Sequence, residues 1–428
     1  MNILPRVFLK KNEEDEIRQG FPWVFDNEIA FVKESEKNEN GQDNYVTRQL
    51  NECKIEDGSP VEVLSKGGLF LGYGVINRTS KITVRIMRRD KLHNPEGNDS
   101  AVNPFTPDFF VQRIQDAFDI RYAYYTQHDS YRLIFGEADF LPGLIVERYV
   151  DIKNQVVLVV QFLAFCVEAY RKEIISALKD ICKPSAIYER SDANVREKEG
   201  LPKQSGVIFG NIDDVITIKE NGVQLEVNIG SGQKTGYFLD QKFNRECVAK
   251  LSKGCRVLDT CTHTGAFGLN AVKGGAKQVI AVDISADAVD LVNRNIELNN
   301  AQSVMSAKTA DVFDILKEYE IAGEKFDLII LDPPAFAKSA KAVSKAYGGY
   351  KEINLRALRL LNRGGILVTC SCSHFFGADK FYDMLMHAAV DAHRSVQILE
   401  KRGAGPDHPI LCGYPKSEYL KCAICKVL

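Results

Sequence analysis

Apolar and polar positions alternate along most of the first 90 residues of the chain. The stretch "SPVEVLSKGGLFLGYGVINRTSKITVRIM", residues 59–87, keeps a period of two around several glycines, which is typical of half-buried strands joined by turns. This pattern predicts a small, mostly β domain in the form of a barrel. Residues 91–107, "KLHNPEGNDSAVNPFTP", have no such period and contain three prolines, so they are the best candidate for a linker.

The next segment mixes helical and strand periods. A helical period runs from about Phe109 to Thr126, and a hairpin with its turn at Leu141-Pro142-Gly143 follows it. A strand, a helix and a further strand come next, in the stretches "QVVLVVQFL", "VEAYRKEIISALKDI" and "SAIYERS". Together these predict an α+β middle domain, and the Asn-Gly pair at 221–222 predicts another hairpin after it.

Short, fully apolar strands alternate with helices over the rest of the chain. The strands are "RVLDT", "QVIAVD", "FDLIILD" and "GILVTC", and helical stretches such as "ADAVDLVNRNIELNN" and "YKEINLRALRLLN" separate them. This alternation predicts a parallel sheet with helices on both faces. Ligands bind such Rossmann-like sheets at the carboxyl ends of the strands. The predicted fold class is therefore α/β, with domains at 1–92, 93–218 and 219–428.

Composition and charge narrow the function only slightly. The chain has 428 residues, 45% of them hydrophobic, which fits two or three globular domains. Its net charge of -2 gives it no global attraction to nucleic acid. RNA contacts would need local basic patches. Two candidates, which also fit ordinary solvated surfaces, are Arg85, Arg88, Arg89 and Lys91, and Lys338, Lys341 and Lys345.

The chain also carries no sign of export or membrane insertion. Its longest apolar runs are shorter than a membrane span, and its first residues lack the pattern of a signal peptide. Eleven cysteines, odd in number and spread along the chain, predict reduced thiols. We therefore expect a cytoplasmic protein.

Two motifs indicate a nucleotide-like cofactor. In "VLDTCTHTGAFGLNA", residues 257–271, a strand leads through Gly265 and Gly268 into a helix, which lets the backbone approach a ligand. Asp283 ends the next strand, 18 residues after Gly265, where a carboxylate accepts hydrogen bonds from ribose hydroxyls. Each also has a structural interpretation, as a plain turn and as a helix N-cap, and their combination favours the cofactor.

A loop and a further strand end add polar residues to this edge. The loop "SGQKTGYFLDQKFNR", residues 231–245, offers Lys234, Tyr237 and Gln241 to a cofactor, although it also fits a surface loop. In "LIILDPPAF" two prolines stop the strand and leave Asp332 at the sheet edge, with Phe336 able to stack on an extruded base. A turn capped by the aspartate is the alternative interpretation.

Two thiols, Cys370 and Cys372, end the last apolar strand in "GILVTCSCS". They fit core packing, a metal or redox pair, or a catalytic nucleophile beside a structural thiol. The C-x-C spacing matches neither zinc nor redox motifs, and Cys422-x-x-Cys425 has no second pair to complete a zinc site. We therefore predict no metal.

Six motifs occur in a fixed order along the chain: "GQKTGYFLDQK", "VLDTCTHTGAFG", "VDISADAVDLVNRNIELN", "FDLIILDPPAF", "YKEINLRALRLLNRGGILVTCSCS" and "DHPI…YPKSEYLK". The set resembles bacterial 23S ribosomal RNA cytosine-C5 methyltransferases, in which a PUA domain and an EEHEE-type middle domain precede a class I, Rossmann-like methyltransferase domain. "GFPWVFDNEI", residues 20–29, resembles the start of that PUA domain, and the similarity covers nearly the whole chain.

The resemblance implies S-adenosylmethionine as the cofactor and large-subunit ribosomal RNA as the partner, with a homodimer left open and no membrane. It implies that Asp283 holds the ribose, that Asp311 and Val312 flank the adenine, and that Asp332 lies between the methyl donor and the target base. The implied cofactor-binding set is Lys234, Tyr237, Gln241, Thr262, Thr264, Gly265, Phe267, Gly268, Asp283, Ile284, Asp311, Val312 and Asp332.

The implied chemistry gives the two thiols different roles. Cytosine C5 becomes nucleophilic when a thiolate adds to C6, after which a base removes the C5 proton and the cysteine leaves. We expect Cys372 rather than Cys370 to be that nucleophile, because Cys372 lies further beyond the apolar strand, and we expect Asp332 to support the addition. The alternatives are a purine N-methyltransferase that uses "DPPAF", and a non-catalytic RNA-binding assembly factor. The base is left open among His374, His408 and Asp407.

Overall fold

A computed structural model describes residues 3–37, 43–92, 103–230 and 236–428 of the chain. Its contacts form two compact units, one of Met1–Asp213 with Asp407–Ser417, the other of Asp214–Pro406 with Glu418–Leu428. Residues 93–102, most of the predicted linker, lie outside the described residues. The domain boundaries at 92 and 218 stay predictions.

The N-terminal part of the first unit is a sheet of seven strands. Its elements are β1 (Arg6–Leu9), α1 (Glu14–Arg18), β2 (Trp23–Phe25), β3 (Ile29–Lys37), β4 (Asp43–Arg48), β5 (Pro60–Leu64), β6 (Phe70–Ile76) and β7 (Ile82–Arg88). The strand order is β2-β7-β6-β5-β1-β3-β4. Along β5, Val61 and Val63 are fully buried while Glu62 between them is not, so the period of two in the sequence marks the core face.

The rest of the first unit is the predicted α+β region. Its elements are α2 (Pro107–Tyr122), β8 (Tyr131–Phe135), β9 (Leu144–Val150), β10 (Val156–Phe162), α3 (Phe165–Glu168), α4 (Arg171–Cys182), β11 (Ala186–Ser191), α5 (Val195–Lys198) and β12 (Gln204–Gly210). The strands form one sheet in the order β12-β11-β10-β9-β8, and β8 and β9 form the predicted hairpin. β12 was not predicted, because its residues are mostly exposed and include two glycines, which weakens the apolar period.

The second unit contains the alternating α/β pattern. Its elements are β13 (Val215–Glu220), β14 (Val223–Asn228), α6 (Lys242–Leu251), β15 (Arg256–Thr260), α7 (Ala266–Lys273), β16 (Gln278–Asp283), α8 (Ala286–Leu298), β17 (Met305–Thr309), α9 (Val312–Ile321), β18 (Phe326–Leu331), α10 (Val343–Leu360), β19 (Leu361–Ser371), α11 (Ala378–Asp391), β20 (Val396–Arg402) and β21 (Lys421–Val427). β13 and β14 form the predicted Asn-Gly hairpin, and the other seven strands form one sheet in the order β17-β16-β15-β18-β19-β21-β20.

Parallel pairing joins five strands of that sheet. β15 pairs in parallel with β16 and β18, and the next pairs outward, β16 with β17 and β18 with β19, are parallel too. Helices α9, α10 and α11 bury large side chains such as Tyr350 and Phe381 in one core with β18 and β19, each worth about 1.5–3 kcal/mol. The predicted parallel sheet is confirmed. Its strand order reverses beside β15, which is where such sheets bind ligands.

A buried ion pair fixes the hairpin of β13 and β14 against α6. Arg245 donates from Nε to Glu220 Oε1 at 2.6 Å and from Nη2 to Oε2 at 2.9 Å, and both side chains are only 3% exposed. Removing one partner of such a pair leaves an uncompensated buried charge. Within the described part of the chain, no helix has the length and apolar character that crossing a bilayer requires.

Arg245→Met should therefore lower the free energy of unfolding by about 3–5 kcal/mol, because Glu220 keeps its charge in the core. The matched control is Arg294→Met, which removes the partner of Glu226 on the same hairpin, where the two side chains are 54% and 26% exposed. That variant should lose at most about 1 kcal/mol. Urea denaturation followed by circular dichroism compares the two, and equal losses would show that burial does not govern the Arg245 pair.

Candidate active site

A cavity of about 330 Å³ opens at the carboxyl ends of the parallel strands, a size within the range of small-ligand sites. The strand ends of β15, β16, β18 and β19 all contribute to its wall. The sequence-predicted residues that line it are Tyr237, Gln241, Thr262, Thr264, Phe267, Asp283, Ile284, Asp311, Val312, Asp332, Phe336 and Cys372. Lys234 lies outside the described residues.

The turn between β15 and α7 is built around the buried carboxylate of Asp259. Its Oδ2 accepts hydrogen bonds from Thr262 Oγ1 at 2.5 Å and from the Gly268 amide at 2.9 Å. Gly265 has a φ of 78° at the start of α7, and a Cβ on Gly268 would lie 2.7 Å from Met305 Cε. The positive φ favours glycine at 265, and a side chain at 268 would force Met305 to move. Desolvation raises the pKa of Asp259 to about 7.

The carboxylate of Asp283 is held in place by backbone amides at the end of β16. Its Oδ2 accepts from the His263 amide at 2.9 Å, and its Oδ1 accepts from the Ser285 amide at 3.0 Å. The N-cap of α8 is Ser285, whose hydroxyl accepts from the Ala288 amide, so Asp283 is not the cap of this helix. A fixed carboxylate therefore faces the cavity. After β17, the next strand along the chain, Asp311 caps α9 by accepting from the Phe313 amide at 2.7 Å.

Asp332 lies at the end of β18 beside a second acidic side chain. Gln241 Nε2 donates to Asp332 Oδ2 at 3.1 Å, and Asn244 orients Gln241 by donating to its Oε1 at 2.6 Å. Desolvation raises the pKa of Asp332 to about 7, and the charge of Asp240 adds to the shift. The carboxyl of Asp332 is therefore partly protonated near neutral pH.

Asp240 is a residue of the wall that the sequence did not single out. Its Oδ2 accepts from the Tyr419 hydroxyl, while its Oδ1 is buried without a hydrogen-bond partner among the described residues. Such an orphaned acceptor in a cavity wall indicates a ligand that donates a hydrogen bond. The sequence feature that could have identified Asp240 is its position next to Gln241, in a loop that was predicted to bind a ligand.

The two thiols occupy different environments. Cys370 is fully buried within β19, opposite Cys422 of β21, and the hydrogen bond with Cys422 and burial raise its pKa. β19 ends at Ser371, so Cys372 lies past the strand, half-buried in the cavity wall. Ser373 fixes the segment that follows β19, because its hydroxyl forms a hydrogen bond with the Tyr350 hydroxyl at 2.9 Å. The cavity therefore includes Cys372 and leaves Cys370 in the core.

A third thiol, Cys261, lines the same cavity. Burial raises its pKa, and the charges of Asp283 and Asp332 raise it further. A thiol surrounded by carboxylates is a poor source of thiolate. Cys261 is therefore ill suited to act as a nucleophile.

Several other candidates are not among the residues that line this cavity. His374 is exposed and packs against Tyr419 with ring centroids 5.4 Å apart, whereas Asp407 and His408 belong to the first unit. Arg85 is buried and pairs with Glu199 at 2.8 Å, so its inclusion in a candidate RNA-contacting or solvated basic patch is wrong. The basic residues that remain exposed after the DPPAF motif are Lys338, Lys341 and Lys345. In the described part of the chain, no group of three or more His, Cys, Asp or Glu side chains could hold a metal ion.

Comparisons with known proteins agree with this architecture. Residues 202–414 match the sequence model of an S-adenosylmethionine-dependent methyltransferase family, and residues 7–89 match that of a PUA-like domain. The fold is shared with a putative SAM-dependent methyltransferase from Streptococcus mutans, with a TM-score of 0.76 at 20% identity over 98% of this chain and 99% of that one. A putative methyltransferase solved in complex with SAH gives a TM-score of 0.77 at 20% identity, with the same coverage.

The fold and these matches define an S-adenosylmethionine-dependent methyltransferase with a PUA-like N-terminal domain. Full-length relatives identify the family more closely. Ribosomal RNA large subunit methyltransferase I from Tolumonas auensis is 38% identical over 99% of both chains, and that from Erwinia tasmaniensis is 37% identical over 99% of both. The chain belongs to the ribosomal RNA large subunit methyltransferase I family.

The raised pKa of Asp332 predicts a pH-dependent stability difference. Between about pH 4 and 7 the folded protein holds a proton on Asp332 that the unfolded chain has lost, so stability falls as pH rises through this window. Asp332→Asn removes the effect. The difference in free energy of unfolding between this variant and wild type should therefore rise by about 1–3 kcal/mol, in favour of the variant, from pH 5 to pH 8. Urea denaturation at both pH values measures the gain, with Asp314→Asn on α9 as the exposed control; the same difference at both values would contradict the assignment.

Proposed function

We propose that the protein forms 5-methylcytosine in 23S ribosomal RNA through a thiolate adduct at cytosine C6. The observation that carries the proposal is Cys372, a half-buried thiol in the same cavity wall as the raised-pKa carboxyl of Asp332. The relatives named ribosomal RNA large subunit methyltransferase I support large-subunit ribosomal RNA as the substrate. Methylation of a purine nitrogen would give the thiol no role.

The side chains of the cavity fit S-adenosylmethionine. The ammonium, ribose hydroxyls and adenine amine of this molecule are hydrogen-bond donors, and its sulfonium is a cation. The wall offers acceptors in Asp283, Asp311 and the orphaned Oδ1 of Asp240, with apolar surface from Phe267 and Val312. We assign Asp283 to the ribose, and Asp311 with Val312 to the adenine. Acidic, acceptor-rich walls suit this cationic donor.

The bound cofactor supplies an electrophilic methyl group, and the remaining steps belong to the protein. The Cys372 thiolate forms a bond to C6 with its own electron pair, and the C5–C6 π electrons then make C5 nucleophilic. Asp332, when protonated, donates a hydrogen bond to N3 and takes part of the charge off the ring. After C5 is methylated, a base removes the C5 proton, the C5–C6 double bond re-forms and the thiolate leaves.

Asp283→Ala should weaken binding of S-adenosylmethionine by at least about tenfold, because the ribose loses a charged acceptor that backbone amides hold in place. Calorimetric titration of the cofactor measures the change. Asp290→Ala removes an exposed carboxylate from α8 and is the matched control. Equal affinity in the two variants would remove Asp283 from the site, and a wild-type chain that binds no cofactor would favour an assembly factor without catalytic activity.

Cys372→Ala should lower formation of 5-methylcytosine by about 10³-fold or more, because without the adduct C5 is not activated. The assay uses 23S ribosomal RNA from cells that lack the gene, with the product identified by nucleoside mass spectrometry. Cys412→Ala, which removes an exposed thiol, should leave the rate unchanged. Full activity of Cys372→Ala, Cys370→Ala and the double variant would rule out the thiol mechanism, and a methylated purine would establish the alternative.

A further inference from the structure

One buried cation lies beside the loop that bears Cys372. Lys421, the first residue of β21, is only 5% exposed, and its Nζ donates to the Ser373 carbonyl and to the Tyr419 carbonyl, both at 2.8 Å. In the antiparallel register of β19 and β21, Lys421 lies opposite Ser371. The lysine is thus fixed against both chain neighbours of Cys372.

Burying a lysine is costly, so its position needs an explanation. The two oxygens that accept from its Nζ belong to neutral carbonyls, which solvate the ammonium without cancelling its charge. Among the negative groups near Lys421, a Cys372 thiolate favours the charged form of the lysine more than Glu418 does. The arrangement therefore offers a positive charge to the sulfur.

The surroundings of Cys372 favour such a charge. Asp332 and Asp240 line the same cavity, and an ionised carboxylate opposes a second negative charge nearby. In the same cavity, burial raises the pKa of Cys261, and the charges of Asp283 and Asp332 raise it further. Other titratable groups near the pair include Glu418 beside Lys421, the Tyr350 phenol beside Cys372, and His374 against Tyr419.

We propose that Lys421 is a positioning residue that holds the Cys372 loop and stabilises the thiolate of Cys372 in its resting state. The role is meaningful for catalysis only if Cys372 is the nucleophile, so it rests on the proposed function. Burial lowers the pKa of Lys421 to about 8, which leaves the side chain mostly charged at neutral pH. The thiol proton goes to solvent, and the thiolate remains paired with the ammonium.

The test measures the thiol directly and needs no RNA. Full-length protein is alkylated with iodoacetamide between pH 5.5 and 10, and peptide mass spectrometry follows Cys372 and the exposed Cys412 in the same molecules. In wild type, the midpoint of the pH–rate profile of Cys372 should lie below that of Cys412. Lys421→Met should move the midpoint of Cys372 up by about one unit, since an opposite charge at this range lowers a pKa by 1–3 units, and should slow its alkylation about tenfold at pH values below both midpoints.

Lys421→Arg keeps the charge and should keep the low midpoint, which separates charge from packing. Cys412 should behave alike in all variants. The proposal is overturned if the midpoint of Cys372 in wild type is no lower than that of Cys412. It is also overturned if a folded Lys421→Met variant has the same Cys372 midpoint as wild type. The comparison within wild type remains valid even if the methionine variant fails to fold. Loss of methylation in Cys372→Ala without any midpoint shift in Lys421→Met would refute only the lysine role. A shift with methylation retained in Cys372→Ala would refute only the proposed mechanism.

Discussion

Parallel pairing of β15, β16, β18 and β19 is the constraint on which the candidate site depends. Because these strands run in the same direction, the residues that follow them reach one edge of the sheet, although long helices separate them in the chain. Asp283, Asp332 and Cys372 meet around one cavity for this reason. The apolar core shared by α9, α10 and α11 supplies the stability that lets this edge carry buried charges.

The charges around the cavity have opposite effects on a cationic methyl donor and on a protein thiolate. Desolvation raises the pKa of Asp332 to about 7 and the charge of Asp240 adds to the shift, so the wall is rich in acceptors without full ionisation at neutral pH. A cationic methyl donor gains from that wall, whereas a thiolate would be destabilised by it. The thiol loop is correspondingly fixed by a lysine on β21, and Cys261, among the carboxylates, is kept neutral.

Charged residues in the first unit serve a structural purpose. Arg85, part of a basic run on β7, is buried and pairs with Glu199 at 2.8 Å and with Glu137 at 3.4 Å. Trp23 donates its indole N–H to the same Glu137 at 2.9 Å, which ties the N-terminal sheet to the α+β region within this unit. A basic stretch of sequence is therefore not by itself a surface for nucleic acid, because a charge that finds a buried partner leaves the solvent.

The sequence alone indicated four of the parallel strands and the sheet edge at which a ligand is expected to bind. Apolar strands such as "FDLIILD" alternate with amphipathic helices in a pattern that permits few arrangements other than a parallel sheet. The polar residues that end these strands were predictable as candidate site residues. Tertiary structure decided what depends on distances between remote segments. Only the pairing of β19 with β21 buries Cys370 and places Lys421 beside Cys372, and only packing orphans one oxygen of Asp240. The local sequence pattern indicates which face of an element is apolar. The pKa of a side chain and its hydrogen-bond partners depend instead on neighbours that are distant in the sequence.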